Sequence, residues 1–148
     1  MLLVVAFAAA LALASVGGGL YEFTVVDPFW PKRPDLIQPA RGGISRKRFW
    51  IWIHLAVEAA LFAAMFSAWS EPTVLKPLTV ALVSHIMMRG WSAYDFIPKA
   101  VAFENADPTS ISESQARAWV RRSRLRLPLD LITCGALLSA FAAAARLG

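Results

Sequence analysis

Four runs of about 20 or more mostly apolar residues, 2–26, 49–69, 74–97 and 127–147, constrain this chain more than anything else in it. A helix of about 20 apolar residues crosses the hydrocarbon of a bilayer, and four of them leave little chain for a water-soluble domain. With 148 residues, the sequence is 57% hydrophobic and carries six Trp and nine Phe. That apolar share exceeds the roughly 45–50% usual in soluble domains. The pattern predicts an all-α fold: a single integral membrane domain over 1–148, built as a four-helix transmembrane bundle with up-down-up-down order. The first run has no Lys or Arg ahead of it and continues through GGGLYEF, so it reads as a span rather than a cleaved signal core. The single Cys134 lies in the last run, excludes an intramolecular disulfide and reads as a small buried residue.

Charge sets the expected orientation. Lys32, Arg33, Arg41, Arg46, Lys47 and Arg48 crowd the connection 27–48, and Lys99, Arg117, Arg121, Arg122, Arg124 and Arg126 crowd 98–126. The second connection, SEPTVLKP, offers only Lys76. The positive-inside rule then puts both long connections in the cytoplasm and both termini on the non-cytoplasmic side, as in a multi-pass protein of a bacterial inner membrane. The net charge of +5 is a topology signal. No nucleic-acid motif accompanies it, so the expected partners are the bilayer and a lipophilic small molecule rather than nucleic acid.

The first connection holds Pro28, Pro31, Pro34 and Pro39, and its Phe29 and Trp30 suit an interface, so it should lie along the membrane and cover the mouth of the bundle. The second contains NADPTS and then, after Ser112, the stretch ESQARAWVRRSRLR, expected as an interfacial helix with Trp119 at the headgroups. AFAAALALA and AFAAAA supply small-residue faces suited to helix packing, within the chain or in a homo-oligomer.

Ionisable residues inside the runs are costly, about 2.5–3.5 kcal/mol each at the bilayer centre, and therefore informative. From the cytoplasmic ends, a rise of 1.5 Å per residue puts Glu22, His54 and Asp130 within about 8 Å of the interface, Glu58 and Arg89 at about 12–14 Å and His85 at about 18 Å. His54 and Glu58, His85 and Arg89, and Arg126 and Asp130 are each spaced four apart, one helical face per pair. The stripes should turn inward and form a cytoplasm-facing polar pocket from Glu22, His54, Glu58, His85 and Arg89, with Tyr21, Trp50, Trp91 and Tyr94 as aromatic walls and hydroxyl donors. The structural alternatives are an ion pair between Glu58 and Arg89, interhelical hydrogen bonds from the two histidines, and a surface pair between Arg126 and Asp130. A metal site, non-haem iron or another transition metal, would draw on His54, His85, Glu58 and Glu22, but the different depths of the histidines and the cation of Arg89 favour a cofactor-free pocket.

The segments GGGLYEFTVVDPFWP, RKRFWIWIH, MMRGWSAYDFIP and ARAWVRRSRLRLPLDL resemble the small four-helix integral membrane proteins grouped with the anthrone-oxygenase-like family, over nearly the whole chain in order and hydropathy. The resemblance implies a membrane bundle and, from members tied to polyketide pathways, an oxidoreductase that turns an anthrone into an anthraquinone with O₂ and no established cofactor. In such a site His54, oriented by Glu58, would be the base and Arg89 the anion stabiliser, while Tyr21, Glu22, Trp50, His85, Trp91 and Tyr94 would contact the substrate. The non-catalytic alternative is a lipid-binding or accessory membrane subunit in which the same polar groups brace the bundle.

Overall fold

The computed structural model describes residues 1–147, which are helical with no strand among them. Six α-helices follow in order: α1 (Leu2–Tyr21), α2 (Lys47–Ser67), α3 (Pro72–Trp91), α4 (Ile97–Asn105), α5 (Glu113–Ser123) and α6 (Leu127–Ala145). Three helical stretches, Leu2–Val26, Lys47–Ser67 and Glu113–Ala145, are long and apolar enough to cross a membrane. The expected span at 74–97 is helical but is not among them. Lys76, His85 and Arg89, the residues that make its polar stripe, together with Pro72 and Pro77, dilute its apolar character.

The four long helices pack in a ring, with α1 against α2, α2 against α3, α3 against α6 and α6 back against α1. Small side chains make the close approaches. Ala8, Ala9 and Ala12 of α1 are buried in one cluster with Ala140 and Ala144 of α6, and Leu61, Leu78 and Leu137 fill the centre. In an apolar solvent helices associate through such close packing rather than through hydrophobic burial. Large apolar side chains point outward instead: Leu3 is 83% exposed, Phe66 86% and Trp69 73%.

Two π-helical turns, Glu22–Val26 after α1 and Ser92–Phe96 after α3, carry the chain out of the long helices. The second runs directly into α4, so much of the expected loop at 98–126 is helical, with Pro98 tolerated in the first turn of α4. A 3₁₀ turn, Pro108–Ser110, capped by the Asp107 carboxylate, leads to α5. Ser112 precedes α5 as expected, but its hydroxyl pairs with Ser114 rather than capping the backbone.

The first connection does pack over one end of the long helices. Val26, Trp30, Ile37, Phe96, Ala116, Trp119 and Val120 form a second core, separate from the helical one, in which the fully buried Trp30 meets Trp119 edge-on at 5.8 Å. Gln38, 1% exposed, fastens this cap by donating from Nε2 to the carbonyls of Phe103 (2.8 Å) and Ala106 (2.9 Å) at the end of α4. Gly42 has φ +83°, and a Cβ on Gly43 would collide with the carbonyl oxygen of Asp35, so the turn after Gln38 needs both glycines. Gln38→Ala leaves the end of α4 without these donors and is expected to lower stability by about 1–3 kcal/mol, read as an earlier thermal unfolding in detergent; an unchanged midpoint would mean the cap is held elsewhere.

Candidate functional site

Beneath the cap, between α1, α2, α3, α4 and the start of α6, lies a cavity of about 330 Å³. Glu22, Trp50, His54 and Arg89, four of the residues expected from sequence, line it. His85 does not. It lies behind His54, with imidazole centroids 6.0 Å apart, and faces a void of about 10 Å³ shared with Ser15, Val57, Asp130 and Thr133, room for a single water.

The expected difference in depth between the two histidines is therefore wrong, and the helix ends explain it. The chain leaves the α3 geometry at Trp91, not at Ile97, and α2 starts at Lys47. Counted from those ends, His85 and His54 lie about 9 and about 10 Å in.

Other expected members fall outside the cavity. Glu58 is half-buried, lines neither cavity nor void, and makes neither a hydrogen bond to His54 nor an ion pair with Arg89 among the described residues. The expected His54–Glu58 dyad is not formed; His54 instead stacks on Trp50 at 5.3 Å with 23° between the rings, and its Nδ1 has no partner. Tyr21 (59% exposed) and Tyr94 (89%) face outward, and Trp91 packs on Phe96 without reaching the cavity. No group of three His, Cys, Asp or Glu is gathered for a metal among the described residues, so the set His54, His85, Glu58 and Glu22 is not assembled.

Sequence reasoning does not place Asp27, Arg46, Lys47, Glu104 or Trp119 in the lining, and it sets Arg126 and Asp130 near the interface, where a surface pair is the alternative to an inward stripe. Arg46 reads in sequence as one charge of a topology signal. In the fold its guanidinium lies 5.5 Å from the Trp30 ring and 5.1 Å from the Trp119 ring, and donates to Glu22 at 3.1 Å. Glu22 also accepts from Trp50 Nε1 at 2.5 Å, so α1, α2 and the cap meet on one carboxylate. Arg126 and Asp130, expected as a surface pair, are half-buried and form no ion pair within 4.0 Å. Arg126 donates to Ser92 Oγ at 2.8 Å and lies 4.4 Å from the Phe96 ring.

The lining holds four carboxylates and four cationic side chains, and part of this charge is spent internally, Glu22 on Arg46 and Glu104 on Lys47 at 3.1 Å each. Ile51, Leu55 and Ile97 line the cavity while being 50%, 50% and 44% exposed, so between α2 and α4 it has an apolar edge at the surface, with the Lys47–Glu104 pair bridging the same two helices.

Asp27, 3% exposed, accepts from Trp30 Nε1 at 3.1 Å, and its second oxygen has no partner. Burial, and secondarily the Glu22 carboxylate, pushes its carboxyl up from 3.8 to about 6. The folded state thus holds a proton that the unfolded chain has released. Asp27 contributes stability that is complete below 3.8 and lost as pH rises through about 6. Asp27→Asn should match the parent near pH 4 and exceed it near pH 8 by on the order of 2–3 kcal/mol in thermal or denaturant unfolding. Loss of stability at both pH values would instead make Asp27 a needed counter-charge.

Compared with known proteins, the chain matches no family model, and no curated protein and no solved structure is similar enough to count as a match. The class the fold defines is an all-helical protein with three helices able to cross a membrane and a polar-floored cavity beside them.

Proposed function

We propose that this is a multi-pass integral membrane protein whose cavity receives a lipophilic small molecule from the bilayer and holds the molecule's polar end against His54 and Arg89. One observation carries the reading: the mouth at Ile51, Leu55 and Ile97 is apolar and exposed on the outer face of the helices, whereas the interior is lined by ionisable side chains. At about 330 Å³ the cavity lies at the lower end of small-molecule pockets, roughly 300–1,000 Å³. In this reading α3 crosses as a fourth span, its polar residues tolerated because His85 is packed inside and Arg89 faces the cavity. The capped end, rich in Arg and Lys, faces the cytoplasm of a bacterial inner membrane and both termini lie outside.

A second reading, oxidation of the bound molecule by O₂, is favoured by the presence in one cavity lining of a histidine and of an arginine unpaired among the described residues, and by the resemblance in the aromatic-rich segments. His54 would take a proton from an acidic CH₂ centre and Arg89 would hold the resulting anion. O₂ would then accept the electrons, one O₂ consumed and one H₂O released as CH₂ becomes C=O. Without Glu58 behind it, the imidazole is oriented by its stack on Trp50.

A lipophilic photoactivatable probe in proteoliposomes tests the binding reading. Label is expected on Trp50 and Met88 inside the cavity as well as on outward residues such as Phe66, and label confined to outward residues would contradict it. With an anthrone-type substrate, His54→Ala should cut O₂ consumption roughly 10²–10⁴-fold while the protein stays folded; equal consumption would remove the catalytic reading and leave binding.

A further inference from the structure

The charge around His54 points to the head that the cavity accepts. Of the cationic groups in the lining, Arg46 is taken by Glu22 and Lys47 by Glu104. Arg126 donates to Ser92 Oγ at 2.8 Å and to the Ser123 carbonyl at 3.2 Å. Arg89 is left over. It lines the cavity and makes no ion pair and no side-chain hydrogen bond among the described residues; Glu58, its expected partner, is not paired with it. Arg89 and Arg126 line the cavity together with His54. His54 itself, 7% exposed, lines the cavity beside Trp50, and its Nδ1 is buried without a partner among the described residues. Arg89 is half-buried without a counter-ion among the described residues, and the fork of N–H donors on its guanidinium matches the two oxygens of a carboxylate.

We infer that the cavity binds a single-chain amphiphile with a monoanionic carboxylate head, a long-chain carboxylic acid, with the head at Arg89 and His54 and the chain leaving through the apolar mouth at Leu55 and Ile97. The inference rests on the proposed lipophilic-ligand reading and adds the charge of the head. A volume of about 330 Å³ suits one head with the start of one chain, and the exposed Ile51, Leu55 and Ile97 continue the apolar path into lipid. Of the four carboxylates in the lining, Glu22 and Glu104 are taken by Arg46 and Lys47, and Asp27 and Asp130 form no ion pair among the described residues, so the preference for an anionic head rests on Arg89.

The test compares dodecanoate, dodecanol and inorganic phosphate by titration calorimetry on the full chain in an uncharged detergent. Dodecanoate is expected to bind at least about tenfold more tightly than dodecanol, with no binding of free phosphate, because head and chain are both required. Arg89→Gln should abolish the preference, weakening dodecanoate at least about tenfold more than dodecanol, and a preference that survives the substitution overturns the placement of the head at Arg89. Leu55→Trp, at the half-exposed mouth, should weaken both amphiphiles together. Equal binding of dodecanoate and dodecanol to the parent protein overturns the anionic head while keeping the lipophilic cavity. Binding of neither overturns both, and binding of phosphate alone overturns the single-chain amphiphile.

Discussion

Everything at the capped end depends on where the guanidinium of Arg46 goes. It lies against both the Trp30 and Trp119 rings and on the Glu22 carboxylate, with side-chain exposures of 13% for Arg46 and 15% for Glu22. A charge this far from water is stable only when its hydrogen-bonding and charge needs are met, and here one cation joins the end of α1, the start of α2, the first connection and α5. Trp30 passes the constraint on to Asp27, and Trp50 completes the coordination of Glu22. The cap is thereby tied to the helices below it, and the polar chamber beneath keeps a roof.

The same arrangement explains why a cavity exists at one end only. Toward the termini the alanine faces of α1 and α6 close on each other, and buried Ala60, Ala64 and Ala81 let α2 and α3 follow. At the capped end the long helices carry Trp50, His54, Met88 and Arg89, too large and too polar for such contact. Of the adjacent pairs in the ring, α2 and α3 touch least. The gap between them, extended along α4, is the side door through which the proposed bilayer-borne ligand would enter.

Much of the fold was legible in the runs of apolar residues, because helix length against bilayer thickness is a simple constraint. So was the role of the proline-rich connection as a cover. The π turns were not: at Ser92–Phe96 the chain changes helical geometry without any Gly or Pro to mark it, and moving the end of α3 from Ile97 to Trp91 shifts every depth counted from it. That error separated His54 from His85. The spacing rule did put His54 and Arg89 near one chamber, but identical spacing misplaced Glu58, since a four-residue step on a helix allows for both a facing group and a flanking one. Arg46 and Asp27 were hidden by their positions outside the apolar runs, where a charge reads as solvated until a fold brings two tryptophans over it.

The opening between α2 and α4 is where the functional reading is most exposed to contradiction. In a Cys134→Ser background, a nitroxide spin label at Leu55→Cys in proteoliposomes reports collisions with O₂, which concentrates in lipid, and with a water-soluble nickel chelate. A mouth that opens to the bilayer predicts strong O₂ relaxation and weak nickel relaxation at Leu55, with the O₂ term reduced when the amphiphile fills the cavity. Dominant relaxation by the nickel chelate would show a mouth open to water, and entry of the ligand from lipid would then have to be abandoned.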